Sequence, residues 1–320
     1  MRETAPAGPP QGRGAPSGGS ERSSPLGEPI QKLVIVGVGL IGGSCALALK
    51  RAHAVGEVVG VGRTRANLDV AVQRAVIDRA LTLDEDWTRE VRDADVVLVA
   101  APVAQFPALF AAIAANLGPD TCVTDAGSTK QDVVAAAREA FGAKVAHFVP
   151  GHPIAGTEHS GAAAAFPSLY ENRNVILAPL AETNAVFVER VRAMWQTCGA
   201  RVTTLAPDRH DAIFAAVSHL PHVLAFTLVA ELAARPDAAA YFDNAAGGFR
   251  DFTRIAASSP EMWRDIALAN RGALLAEIDI YADALASARA LISEGDGEAI
   301  VELFEQASGA RRAWEARRTK

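Results

Sequence analysis

The stretch LVIVGVGLIGGS, residues 33–44, places an apolar run ahead of three glycines, Gly37, Gly39 and Gly42, and a helical segment behind them. An unbroken apolar run suits a strand buried on both faces, and glycines at this spacing between a strand and a helix form the fingerprint of a dinucleotide-binding turn. Gly37 permits the tight turn, Gly39 lets a pyrophosphate approach the backbone, and Gly42 permits close helix packing. The helix start, at Leu40 and Ile41, offers free amides and a partial positive charge to phosphate. Gly37, Gly39, Leu40, Ile41 and Gly42 are therefore the expected cofactor contacts.

Outward from this loop, residues 31–150 alternate short apolar runs with Ala-rich helical segments. The runs lie at 33–36, 58–61, 96–100, 122–125 and 145–149; helices are expected near 41–51, 66–74, 106–116 and 130–141. Strands joined by helical crossovers make a parallel sheet, so the fold class is α/β, a Rossmann-type doubly wound sheet. Beyond residue 151, apolar runs at 174–178 and 201–205 surround a helix at 185–197. After residue 207 everything reads as helix, with breaks expected at Pro221, Pro236, Gly247 with Gly248, and Pro260. The expected organisation is a tail at 1–29, a dinucleotide-binding unit at 30–150, a connecting α/β segment at 151–206 and a mostly helical substrate and dimerisation unit at 207–320. The tail is rich in Gly, Pro, Ser and Arg, reads as disordered, and receives no function. The active site is expected in the cleft between the units. Long helices such as 261–290 carry more apolar positions than one small core needs, which points to a homodimer.

Composition narrows the partners. A net charge of −6 gives no basic field for nucleic acid. The three cysteines, Cys45, Cys122 and Cys198, have no CxxC spacing, and an odd number closes no disulfide framework. They read as core thiols of a reducing compartment. The N-terminus lacks a signal peptide's apolar core, and the most apolar helical stretch, 223–234, is too short to span a bilayer. A soluble cytoplasmic enzyme without a metal, membrane or nucleic-acid partner is expected.

The end of the second strand distinguishes the nicotinamide cofactors. In EVVGVGRTRAN, residues 57–67, the place of a ribose-binding acid falls at Gly62, followed by Arg63, Thr64 and Arg65. Two guanidiniums and no acid match a 2′-phosphate, so NADP is favoured over NAD. The alternative is that these arginines are solvated surface charges.

Five further stretches are unlike ordinary scaffold: TDAGSTK at 124–130, GHPIAGTEHSG at 151–161, PDRHD at 207–211, SHLPH at 218–222 and FRDFTRIA at 249–256. With the glycine loop and in this order, from about residue 32 to at least 266, they make the chain resemble the prephenate dehydrogenase family, also called cyclohexadienyl or arogenate dehydrogenases. The resemblance implies oxidative decarboxylation of prephenate or arogenate in tyrosine biosynthesis, with hydride transfer to a nicotinamide. It implies His152 as the catalytic histidine, Ser128 as a hydroxyl positioning substrate and imidazole, and Arg254 as the substrate-binding arginine. It also implies His222 at the substrate, His210 near the nicotinamide end, and Glu158 in gating or substrate discrimination.

Each residue has a bland reading beside that one. A histidine near neutral pKa suits proton abstraction, and His152 follows the last Rossmann strand, where a loop enters the cleft; the same histidine would otherwise cap a carbonyl. Ser128 opens the helix after the strand at 122–125 and suits an N-cap. Arg254 has the planar fork that a carboxylate calls for, or forms a structural ion pair; Arg250 is available to Asp251 or solvent. Asp211, Ala215, Ser218 and His222 share a helical face, His219 reads as packing, and Glu158 as a solvated loop acid. With no regulatory segment and no chorismate mutase evident, the expectation is a stand-alone dehydrogenase. A β-hydroxyacid dehydrogenase would resemble it in layout, but that group's catalytic lysine has no counterpart between Lys144 and Lys320. A catalytically silent dinucleotide sensor would need the glycine loop alone.

Overall fold

β1 (Ile30–Val36) lies inside the sheet because both its faces are apolar. Successive side chains point to opposite sides: Leu33 and Ile35 join one core with Leu98 and Leu49, while Val34 and Val36 join the other with Val97 and Phe110. The structure, a computed structural model, describes Met1 and residues 25–157 and 159–318. Most of the expected tail, residues 2–24, lies outside the described residues.

From β1 the chain runs through α1 (Leu40–Arg51), β2 (Val55–Gly62), α2 (Arg65–Gln73), β3 (Arg79–Thr82) and β4 (Val96–Val99). It continues through α3 (Phe106–Asn116), β5 (Cys122–Asp125), α4 (Gln131–Phe141) and β6 (Phe148–Val149). The six strands are parallel in the order β3-β2-β1-β4-β5-β6, the doubly wound arrangement expected. The order reverses at β1, so the crevice outside the C-terminal ends of β1 and β4 receives the glycine loop. β3 gave no sequence signal: it is four residues long and none is fully buried. Val145 lies in a 3-10 turn, which shortens the last strand to two residues.

A second sheet, β7-β8-β9, is made of β7 (Gly151–Pro153), β8 (Asn174–Leu177) and β9 (Arg201–Thr204), with α5 (Ala185–Thr197) between the last two. Tyr170, Trp195 and Cys198 extend the core around Cys45 and Leu49, so both sheets share one apolar interior. His152 therefore lies on a strand paired with Ile176, not on the expected loop, because the buried flank of β8 supplies backbone partners.

The helical part begins with α6 (Pro207–Phe214), a π turn at Ala215–His219 and α7 (Leu220–Ala233). No break occurs at Pro221: the π turn widens the helix just before it, and proline sits in the first turn of α7, where its missing N–H is tolerated. The continuous helix from Pro207 to Ala233 is long and apolar enough to cross a bilayer by length and composition, unlike the shorter stretch read from sequence. Its first turns nevertheless bind the sheet half through His210 and Asp211. α8 (Ala238–Asp243), α9 (Gly247–Thr253), α10 (Pro260–Ala269), α11 (Arg271–Glu294) and α12 (Gly297–Arg318) follow. The helix expected at 261–290 is divided at Asn270, whose buried side chain donates to the Asp211 carbonyl at 2.8 Å.

Candidate active site

The glycine loop has the shape a dinucleotide requires. Gly37 has φ +103°, and a Cβ there would lie 2.5 Å from the Ala100 carbonyl oxygen. A Cβ on Gly42 would lie 2.6 Å from the Gly37 oxygen, whereas one on Gly39 would meet nothing within 4 Å among the described residues. The loop is thus sealed against protein on two sides and open where phosphate would approach the α1 amides. Leu40 is buried, and the Tyr170 hydroxyl donates to the Ile41 carbonyl at 2.6 Å, anchoring the first turn of α1 from the second sheet. At the end of β2, Arg63 and Thr64 are exposed. Arg65 already pairs with Asp69 at 3.0 Å and lies 3.9 Å from Glu85, which leaves Arg63 the guanidinium without an ion pair there among the described residues.

Two strands along the sheet from β1, β5 ends in Asp125, which is fully buried with Lys130. Burial pushes its carboxyl up, against the opposing pull of Lys130 and two backbone amides. Its oxygens accept from Lys130 Nζ at 2.5 Å, the Gly127 amide at 2.8 Å and the Gly151 amide at 2.9 Å. A single carboxylate therefore ties the loop carrying Ser128 to the strand carrying His152. Sequence reading took TDAGSTK for its serine and missed this pair; its signal was an acid and a lysine five residues apart in an otherwise apolar setting.

Ser128 is half-buried and is not an N-cap: α4 starts at Gln131, with Lys130 before it. The Lys130 and Gln131 amides instead donate to Asp211 Oδ1 and Oδ2, both at 2.8 Å. A carboxylate from α6 thus satisfies the positive end of α4.

His152 is 9% exposed, packed against Phe214 with ring centroids 4.8 Å apart. Its Nδ1 lies 2.8 Å from Nε2 of His210, and Nδ1 of His210 lies 2.8 Å from Asp211 Oδ1. Burial, with His210, Lys130 and His219 as further causes, holds His152 well below the ordinary histidine pKa, so its ring is neutral at pH 7. Burial also lowers His210, against the pull of Asp211. His219 is buried and pushed down to about 4 by desolvation; its Nδ1 meets Asn270 Nδ2 at 3.1 Å. The π turn shifts the helical register, so His219 and Asp211 meet the same Asn270 side chain, a neighbourhood the regular helical spacing does not give.

His222 is half-buried, bonds the Ser218 carbonyl through Nδ1 at 2.9 Å, and stacks on Trp263 with centroids 3.4 Å apart. Burial lowers its pKa, and the nearby Arg254 cation adds to the shift. Arg254 is exposed in the turn after α9 and has no ion-pair partner among the described residues; Arg250 pairs with Asp251 at 3.4 Å. The buried indole nitrogen of Trp263 has no hydrogen-bond partner among the described residues, a donor beside His222 that the sequence did not flag. Glu158 lies outside the described residues.

A dinucleotide loop, a buried neutral imidazole on the strand that follows the parallel sheet, and a guanidinium without an ion pair among the described residues are the equipment of a nicotinamide-dependent alcohol oxidoreductase. Residues 45–204 match the family model described as prephenate dehydrogenase, nucleotide-binding domain, and residues 206–306 match prephenate dehydrogenase, dimerization domain. The chain belongs to the prephenate dehydrogenase family and is an NAD(P)-dependent oxidoreductase. It is 35% identical over 287 residues to a cyclohexadienyl dehydrogenase of Zymomonas mobilis, covering 88% of this chain and 95% of the relative. It is 34% identical over 281 residues to a prephenate dehydrogenase of Bacillus subtilis, covering 87% and 75%. Among solved structures, prephenate dehydrogenase from Aquifex aeolicus in complex with hydroxyphenyl propionate and NAD+ superposes with a TM-score of 0.83 at 35% identity, covering 89% of this chain and 98% of that one. Synechocystis arogenate dehydrogenase superposes with a TM-score of 0.75 at 27% identity, covering 89% and 100%.

Proposed function

We propose that this protein oxidatively decarboxylates prephenate or arogenate in tyrosine biosynthesis, with His152 as the proton acceptor. The observation that carries this reading is the placement of His152: buried, neutral, and on a strand that Asp125 ties to the loop bearing Ser128. With its pyrophosphate held at the glycine loop, the dinucleotide would supply a nicotinamide to accept the hydride that leaves C4 of the cyclohexadienol. His152 takes the hydroxyl proton as that hydride departs, and Ser128 holds the hydroxyl in line. The electron pair of the bond to the C1 carboxylate then completes the aromatic ring, releasing carbon dioxide. Arg254 supplies a guanidinium for a substrate carboxylate, with His222 and the Trp263 indole N–H beside it. In this reading Glu158 gates or discriminates among substrates. Arg63, after a strand end without an acid, supports NADP over NAD, with Thr64 and Arg65 flanking it. We further infer a cytoplasmic homodimer built by residues 207–320, with the dinucleotide unit at 30–150 and its connecting segment at 151–206.

The test follows NADPH and NADH formation with prephenate, arogenate and a 3-hydroxyacid. Turnover of a cyclohexadienol with a higher kcat/KM for NADP is expected; no turnover of either overturns the substrate assignment, and a higher value for NAD overturns the cofactor preference. His152→Asn should lower kcat by about 10²–10⁴ with cofactor affinity intact. Arg254→Gln should raise the substrate KM.

A further inference from the structure

We propose that Asp211 is a positioning residue which, acting through His210, fixes His152 in the tautomer whose Nε2 is free to accept a proton. This rests on the reading of His152 as base and adds the device that sets its chemistry.

Asp211 is 1% exposed and ionised: burial pushes its carboxyl up, but the His210 bond and the Gln131 and Lys130 amides outweigh it and hold it below the ordinary value. An ionised carboxylate only accepts, so His210 Nδ1, 2.8 Å from Oδ1, carries its proton. Burial keeps His210 neutral, so its Nε2 holds a lone pair. That lone pair faces His152 Nδ1 at 2.8 Å, and two lone pairs do not approach so closely, so His152 Nδ1 is the donor. His152 is then left with one basic atom, Nε2. The order of protons is set from the carboxylate outward, as in an acid–histidine pair that orients a catalytic imidazole.

Two further observations separate this from packing alone. Both His210 nitrogens are occupied inside the protein and the ring is 0% exposed, so none is left for a ligand; His210 positions, where the family resemblance implied a neighbour of the nicotinamide. Asp211 is itself held at three points, by the two α4 amides and by Asn270 on its own carbonyl, which gives the chain of bonds a rigid origin.

The experiment is 15N NMR of the full chain labelled at histidine, with His152 assigned by loss of its signals in His152→Asn. At pH 7.5 the expected pattern is a protonated Nδ1 and a bare Nε2 on His152; a protonated Nε2 overturns the proposal. Asp211→Ala should mix the two His152 tautomers, and unmixed tautomers in the folded variant overturn it. Should that variant not fold, His210→Phe keeps the ring against Phe214 and removes the acceptor. It should lower kcat by about 10²–10⁴ with the substrate KM within about twofold, and adding His152→Asn should bring little further loss. A raised KM at normal kcat would make His210 a substrate contact and overturn the proposal. The NMR result requires no substrate, so failure of the wild-type chain to oxidise either cyclohexadienol would remove the functional reading while the tautomer assignment is judged independently.

Discussion

The sheet half and the helical half of this chain bury their apolar residues to very different degrees. β1, β4 and β5 are enclosed on both faces, and even their ionic pair, Asp125 with Lys130, is wholly inside. α11, by contrast, buries only Leu274 among its 24 residues, while Leu275, Ile280, Tyr281, Leu285 and Ile292 on it are exposed. α8 buries none of its residues. The first half closes on itself, so its stability is a property of one chain. The second presents apolar surface on a scale that soluble monomers seldom leave uncovered, in the segment matching the family's dimerization domain. The site sits where the halves meet: His152 of the closed half bonds His210 on α6, and Asp211 on α6 accepts from the α4 amides of the closed half.

Substitutions test this contrast in descending order of effect. Lys130→Met strands the Asp125 carboxylate in the closed half and should cost about 3–5 kcal/mol, read as a lower urea midpoint at unchanged dimer affinity. A stability loss below about 1 kcal/mol would show that Lys130 does not hold the Asp125 carboxylate in place. Leu285→Glu on the open half should instead convert the dimer to monomer at micromolar concentration in light scattering, leaving the Rossmann unit's cofactor affinity intact. A monomeric wild-type mass at high concentration would break the comparison outright. Within the glycine loop, Gly42→Ala should destabilise by about 1–3 kcal/mol through overpacking. Gly39→Ala, with open space around it, should leave the midpoint unchanged and weaken only dinucleotide binding.

The smallest effect concerns pH. Burial lowers His152, His210, His219 and His222 in the folded chain, so on acidification the unfolded chain takes up protons first, near the ordinary value of about 6.5. Their contribution to stability is therefore present above that pH and is lost as pH falls below it, for His219 down to about 4. The urea midpoint should drop between pH 7 and 5, and kcat/KM should stay level below 6.5 because His152 remains neutral there. An acid limb centred at 6.5 would show an ordinary, solvated base.

The residues that sequence read well are those whose behaviour is settled within a few positions. The β1–Gly–α1 unit and the helix at 185–197 follow from steric freedom at glycine and from apolar periodicity, and both stand as read. Local signals were less adequate at the ends of elements: Ser128 had the right composition for a cap, but α4 starts three residues later, because its amides have a carboxylate from α6 to meet. Pro221 looked like a helix stop and became an interior residue once the π turn made room. Asn270 looked like part of one long helix and became its break because its side chain is drawn to Asp211.

By itself, then, the order of residues determined the dinucleotide fold, the family and the cast of chemical groups, since backbone sterics, hydrophobic periodicity and motif order are local and survive without coordinates. Only the tertiary structure decided how those groups are wired. The Asp125 clamp, the His152–His210–Asp211 chain and the lowered histidine pKa values arise from burial and from pairings across the two halves, and neither burial nor a hydrogen bond between distant segments is written in any short stretch of sequence.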